Sequence, residues 1–220
     1  MNPKAESKVT QVLRGLMLIV SMGLPLLIVL ILMQQQMTHQ VWSVDTTWML
    51  MLHQHARPML NDAAVVLAYA GGLPGCLALC VMVSLVAGLI WRWAVVKVQV
   101  LFLWIAMLGA TGWSWALKYV IDRPRPALWP LIAPEYGTSF PSGHSVYAAA
   151  LAGVLIVCGW QWGRRLRWLV VLIALSWAGL MGVSRVYLGA HYPTDVLAGW
   201  ALGAWWVAVL GNNSYKEEQD

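Results

Sequence analysis

The chain reads as an all-α, polytopic membrane bundle with six transmembrane helices. Three observations carry that reading. Hydrophobic residues make up 60% of the 220 residues and charged residues only 10%, against about a quarter in an ordinary soluble domain. Fifteen tryptophans are present, a side chain that collects where membrane meets water. The apolar residues fall into six runs, and a run of about 20 residues crosses about 30 Å of hydrocarbon.

The first run, 16–33, follows a basic leader with Lys4, Lys8 and Arg14. It is longer than a signal-peptide core, and Gln34-Gln35-Gln36-Met37 offers no small-residue cleavage site. A retained span bent at Pro25 is expected. The segment 34–61 alternates polar and aromatic residues and is expected outside the bilayer, partly as short interfacial helices, with Met49-Leu50-Met51 beside the path of a lipid tail. The second span, 73–91, is broken or bent at its start by Gly71, Gly72, Pro74 and Gly75. The third covers 98–120, and a proline-rich loop, 122–141, follows it. The fourth reaches spanning length only if its helix begins near Ser142. The fifth covers 168–188 and the sixth 193–210. No linker or repeat divides the chain, so 1–220 is expected to be one integral-membrane domain. Cys76, Cys80 and Cys158 all lie in apolar runs with no histidine or carboxylate near enough to complete a metal site, and read as small buried hydrophobes.

The net charge of +5 comes from cations scattered between apolar segments rather than gathered in a stripe, which argues against nucleic acid and for cationic membrane loops. With six spans both termini share one side. Lys4, Lys8, Arg14, Arg92, Lys97, Arg164, Arg165, Arg167 and Lys216 fall there; Arg57, Lys118, Arg123, Arg125 and Arg185 fall on the other. The positive-inside rule then puts the termini in the cytoplasm. Trp91, Trp93, Trp160, Trp162 and Trp168 read as anchors at the inner edge, while helix contacts account equally well for Trp177 and Trp200.

Ionisable side chains nevertheless concentrate at the outer ends of the later spans, in segments 118–126, 141–144 and 184–195. Each costs about 2.5–3.5 kcal/mol at a helix centre on insertion scales, so their grouping points to a site for an anion. A transferring phosphoryl group spreads charge over its equatorial oxygens, and positioned cations and backbone N–H groups stabilise it. Lys118 and Arg125 bracket the end of the third span, and Arg185 closes the fifth. Ser142 is a good helix N-cap, and Gly143 lets the backbone approach a ligand. His191 precedes the sixth span, and Asp195, four residues on, is near enough to accept its ring N–H. His144 remains to protonate a leaving oxygen. His39, His53 and His55 read as interfacial loop residues, and Asp62 and Glu135 as solvated loop carboxylates.

Lys118 with Arg125-Pro126, then Pro141-Ser142-Gly143-His144, then Ser184-Arg185 with His191 and Asp195 resemble the three motifs of the type 2 phosphatidic acid phosphatase superfamily. The resemblance covers about 60–210. A second Arg-Pro pair, Arg123-Pro124, leaves two candidate arginines, and the spacing favours Arg125. The resemblance implies a helical core like that of vanadium haloperoxidases and a phosphohydrolase that needs no metal or cofactor. It implies that His191 is the nucleophile that becomes phosphohistidine, Asp195 its orienter and His144 the general acid. Lys118, Arg125, Ser142, Gly143 and Arg185, together with His144, would hold the phosphoryl group.

The implied partners are the bilayer and a lipid phosphate, with no nucleic acid and no obligate protein partner. The implied location is a bacterial inner membrane with the site facing outward. Among lipid substrates undecaprenyl pyrophosphate is favoured, with phosphatidylglycerol phosphate, phosphatidic acid and diacylglycerol pyrophosphate as alternatives. A lipid phosphotransferase and a non-catalytic lipid-binding or flipping protein are the competing classes.

Overall fold

The computed structural model describes residues 15–38, 40–90, 93–160 and 163–217. Lys4, Lys8, Arg14, His39, Trp91, Arg92 and Trp162 lie outside the described residues, as do the side chains of Trp93 and Lys216. Every regular element among the described residues is helical: α1 Gly15–Gln36, α2 Ser43–His53, α3 Pro58–Gly71, α4 Leu73–Ile90, α5 Trp93–Ile121, α6 Gly143–Gly159, α7 Arg164–Tyr187 and α8 Pro193–Glu217.

Ahead of Pro25, where a bend is expected, the helix makes a π-turn. Residues Ile19–Gly23 are π-helical, and the Leu24 N–H donates to the Ile19 carbonyl. A proline lacks the N–H that would continue the α-helical ladder, and a wider turn ahead of it absorbs the mismatch. Two shorter helices, α2 and α3, follow. The second, α3, starts at Pro58 and runs well beyond the segment expected outside the bilayer. Gly72 takes an extended conformation and separates α3 from α4. Met49 is wholly buried against Val186, Tyr192 and Val196 instead of lining a path for lipid.

Among the described residues five helices, α1, α4, α5, α7 and α8, are long and apolar enough to cross a membrane; α6, at 17 residues, is a shorter apolar helix. The short one is the core. Most of its residues are buried, and it packs against α5, α7 and α8. A helix surrounded by its own chain need not match the full thickness of lipid. The outer helices instead expose large apolar side chains such as Leu85, Leu89, Leu172 and Ile173. Their preferred solvent is hydrocarbon.

The α6–α8 contact is close because of two glycines on α8. A Cβ on Gly199 would lie 2.7 Å from the Ser142 carbonyl oxygen, and one on Gly203 would lie 2.5 Å from that of Val146. Small residues let membrane helices meet backbone to backbone. This contact fixes the start of α6 against the start of α8. Trp160 and Trp168 pack edge to face where α6 gives way to α7, with Arg167 over the Trp160 ring. Trp200 donates to the Ala178 carbonyl at 3.0 Å, a helix–helix contact. Cys76 and Cys80 are buried and Cys158 half-buried, all three as free thiols.

Candidate active site

The end of α5, the loop 122–142, the start of α6, the end of α7 and the start of α8 meet at one end of the bundle. Each ends there for a local reason. Asp122 adopts a left-handed backbone conformation (φ 46°) that stops α5, a geometry an Asp tolerates better than most residues. Ser142 occupies the N-cap of α6 as expected, but its side chain makes no cap bond; its Oγ accepts from Ser145 Oγ–H at 3.0 Å. The first N–H groups of α6 therefore keep the anion-seeking character of a helix N-terminus. Gly189, at φ 76°, turns the chain beside Trp129, and Pro193 opens α8.

His191 lies in that turn, almost wholly buried. Its Nδ1–H donates to the Ser139 carbonyl oxygen at 2.8 Å, and its Nε2 accepts from the Arg125 guanidinium at 3.2 Å. These partners assign one tautomer, with the Nε2 lone pair facing the cations. Asp195 Oδ2 stands 3.8 Å from His191 Nδ1, beyond hydrogen-bond reach. It accepts instead from Ser139 Oγ–H and from the Tyr192 N–H at 2.9 Å. The carboxylate expected to take the ring N–H thus acts one step back, on the two segments that flank the ring. Burial pushes the His191 imidazole down to about 4; the Asp195 carboxylate works against that shift, and the Arg125 and Lys118 cations add to it.

The cations converge on the same space. Arg185 is buried, donating to Glu135 Oε1 at 3.0 Å and to the Ala64 carbonyl at 3.2 Å. Arg125 donates to the carbonyls of Tyr136, Gly137 and Ala190 and lies 3.5 Å from Glu135 Oε2. Lys118 donates to the Thr138 carbonyl. His144 Nε2 is 3.0 Å from the Ala68 carbonyl, which ties α6 to α3. One ligating atom each of Glu135, His144 and His191 lies within 4.8 Å of the others. That spacing would suit a metal, but two guanidiniums already hold the Glu135 carboxylate, so the surrounding charge suits an anion.

Arg123 and Arg125 part company. Arg123 faces away from the cation cluster and pairs with Asp195 Oδ1, Asp45 Oδ2 at 3.1 Å and Thr194 Oγ1 at 3.0 Å, with Tyr192 stacked on its guanidinium. Arg125, the one favoured by spacing, is at His191.

Residues 98–217, rather more than half of the chain, match the family model described as the PAP2 superfamily. The chain belongs to that superfamily. A stretch of 90 residues is 44% identical to the Phosphatidylglycerophosphatase B of Bacillus subtilis (strain 168), covering 40% of this chain and 44% of that protein. Another of 95 residues is 36% identical to the Undecaprenyl-diphosphatase of Sulfolobus acidocaldarius, covering 40% and 42%. The match thus spans under half the length of these relatives. The fold is similar to the crystal structure of the first transmembrane PAP2 type phosphatidylglycerolphosphate phosphatase from Bacillus subtilis. The TM-score is 0.73 at 26% identity, over 88% of this chain and 96% of that one.

Four residues around this site are not among the site residues expected from the sequence. Glu135, expected in solvent, is bonded to two arginines of the site. Asp45, Ser139 and Thr194 surround Asp195 and its arginine. The one available signal was the duplicated Arg-Pro, which offered a spare cation in need of an acid. Asp62 is exposed as expected, but on helix α3 and not in a loop. His55 is also exposed, whereas His53 ends α2 and stacks on Trp129 at 4.0 Å.

Proposed function

We propose that the chain is a lipid phosphate phosphatase working through a phosphohistidine, with His191 as nucleophile. The observation that carries the proposal is the His191 tautomer. Its Nδ1–H is held by the Ser139 carbonyl, and its Nε2 lone pair faces the space shared by Arg125, Arg185 and Lys118. An imidazole held neutral in that setting is a ready nucleophile. Nε2 attacks phosphorus, the bond from phosphorus to the lipid oxygen breaks, and His144, entering the step as the imidazolium, gives that oxygen a proton. Water then attacks the phosphohistidine, releasing phosphate and restoring both rings. Lys118, Arg125, Arg185 and the first turn of α6, with Ser142 and Gly143, hold the phosphoryl oxygens. Asp195 holds the His191 turn through Ser139 and Tyr192. No step in this scheme needs a metal.

The catalytic core corresponds to 60–210 within a single integral-membrane domain, with α6 counted as the fourth of six spans and a core of the haloperoxidase kind. The charge bias between loops puts the termini in the cytoplasm of a bacterial cell and the site on the outer face of its inner membrane. There a lipid presents its phosphate at headgroup depth while its tail lies against the apolar helices. Undecaprenyl pyrophosphate is the substrate we favour, in keeping with the relative named Undecaprenyl-diphosphatase. Phosphatidylglycerol phosphate is the alternative, on the strength of the relative named Phosphatidylglycerophosphatase B. Phosphate release by the purified protein from a panel of both lipids, with and without EDTA, tests the proposal. Release that survives the chelator, with phosphate trapped on wild type but not on His191→Ala, is expected. A strict Mg²⁺ requirement would sink the mechanism.

A further inference from the structure

We propose that Asp45 and Arg123 are positioning residues for this reaction, so that the short helix α2 belongs to the catalytic machinery. The inference rests on the phosphohistidine reading above and extends it to a helix outside 98–217, the stretch that matches the family.

Four links run from α2 to the nucleophile. Asp45 is fully buried in the first turn of α2. It accepts from the Thr194 N–H at 2.9 Å and from Thr194 Oγ1–H at 2.8 Å, capping the start of α8 from another helix. Its Oδ2 also takes Arg123 at 3.1 Å. Arg123 bridges to Asp195 Oδ1, and Asp195 Oδ2 holds Ser139 Oγ–H and the Tyr192 N–H. Ser139 in turn presents the carbonyl that fixes the His191 tautomer.

Charge explains why the chain needs the pair. Asp195 is fully buried with Ser139 and Tyr192 as its neutral donors, and Arg123 is its cation. Two carboxylates, Asp45 and Asp195, grip opposite ends of one guanidinium that is itself only 6% exposed. Arg123 therefore cannot turn toward the phosphoryl site, and Asp195 cannot turn away from Ser139 without giving up its cation. Buried charges held this way persist only in one geometry. The duplicated Arg-Pro thus divides its labour: Arg125 meets the substrate, and Arg123 holds the acid behind the nucleophile.

The test compares wild type with Asp45→Asn, Arg123→Gln, the double variant and the conservative Arg123→Lys, all as full-length protein in detergent. Two quantities are read: the rate of phosphoenzyme formation from an aryl phosphate by rapid quench, and inhibition by vanadate. The two single variants should form phosphoenzyme roughly 10–100-fold more slowly, the usual cost of losing an outer-shell partner. Vanadate inhibition should stay within about twofold, since Lys118, Arg125 and Arg185 are untouched. The double variant should fall well short of the product of the two single losses, because both act through Asp195, although Asp45 also caps α8 at Thr194. Arg123→Lys should recover part of the rate, and serves if Arg123→Gln does not fold. Unchanged rates, additive losses, or a parallel loss of vanadate binding would each overturn the proposal. Absence of phosphoenzyme in wild type would instead sink the underlying phosphohistidine reading, and this inference with it.

Discussion

The Nδ1–H of His191 donates to the backbone carbonyl of Ser139 at 2.8 Å, while the carboxylate of Asp195 stays 3.8 Å from that nitrogen. A main-chain carbonyl cannot be removed by substitution, so the tautomer of His191, the proposed nucleophile, is built into the backbone. The carboxylate serves to hold that backbone. Asp195→Asn should therefore slow phosphoenzyme formation by roughly 10–100-fold, as for an outer-shell partner. Loss of a triad carboxylate bonded directly to its histidine costs about 10⁴-fold. Ser139→Ala, which keeps the carbonyl and removes only one of the donors to Asp195, should cost less than Asp195→Asn. Rapid-quench rates for the two variants decide the order, and a loss near 10⁴ for Asp195→Asn would restore direct contact.

The acid limb of phosphoenzyme formation follows from the His191 environment. Burial lowers its titration from 6.5 to about 4, and in the proposed mechanism the neutral ring is the form that attacks. Lowering the value extends the neutral form toward acid, so the nucleophile should remain competent between pH 6.5 and about pH 4, where a free imidazole would already be protonated. The substrate's own second ionisation, near pH 6, must be measured by ³¹P NMR and divided out. A residual limb centred near 6.5 would mean the ring is solvated in the working enzyme.

The α6–α8 contact should be intolerant of even a methyl group. Gly203→Ala puts a Cβ 2.5 Å from the Val146 carbonyl oxygen and 2.9 Å from the Ala149 Cβ, so the helices carrying His144 and Asp195 must separate. Overpacking of this kind costs about 1–3 kcal/mol. Gly112→Ala on α5 meets nothing within 4 Å and should be neutral or stabilising by about 0.5–1 kcal/mol. Thermal denaturation of the two variants in detergent provides the comparison.

Glu135 sits where negative charge is expected from the substrate. Its oxygens lie 3.0 Å from Arg185 and 3.5 Å from Arg125. An incoming phosphoryl group must displace this carboxylate or lie beside it, and either arrangement opposes binding. Glu135→Gln should tighten vanadate inhibition on the order of tenfold, the size of an ordinary coupling between two ligands. Weaker inhibition would show instead that the carboxylate is needed to hold the two guanidiniums in place.

The difference between what was legible in the sequence and what was not follows from sequence distance. Lys118, Arg125, His144, Arg185, His191 and Asp195 stand at helix ends, where polar residues interrupt apolar runs and short spacings fix which of them can meet. The start of α4 at Leu73 was legible for the same reason, since Gly71 and Gly72 break the run. Asp45 and Arg123 are 78 residues apart, and Asp45 and Thr194 are 149 apart; no local period announces such pairs. Ser139 contributes a carbonyl, which carries no side-chain signature at all. Helix α3 was hidden because Asn61 and Asp62 interrupt the apolar run near its start. Glu135 looked solvated because a carboxylate in a loop usually is.

His144 separates chemistry from binding through the leaving group. A lipid alkoxide leaves poorly and needs a proton, whereas a nitrophenolate leaves well without one. General acid catalysis supplies about 10²–10⁴-fold where it is needed. If His144 protonates the leaving oxygen, His144→Ala should lose most of its phosphoenzyme formation on a lipid phosphate monoester and distinctly less on a nitrophenyl phosphate. A diphosphate lipid, whose leaving group is itself a phosphate, should fall between them. The ring is half-buried at the start of α6 and anchored to the Ala68 carbonyl at 3.0 Å, so its removal also frees α3 locally. That loosening would affect all substrates alike and cancels in the ratio. The rates must be taken at phosphoenzyme formation, because hydrolysis of the intermediate no longer involves the first leaving group. Equal losses on the lipid and the aryl substrate would leave His144 as a phosphate-binding group. A ratio that grows with the basicity of the leaving oxygen would make it the acid.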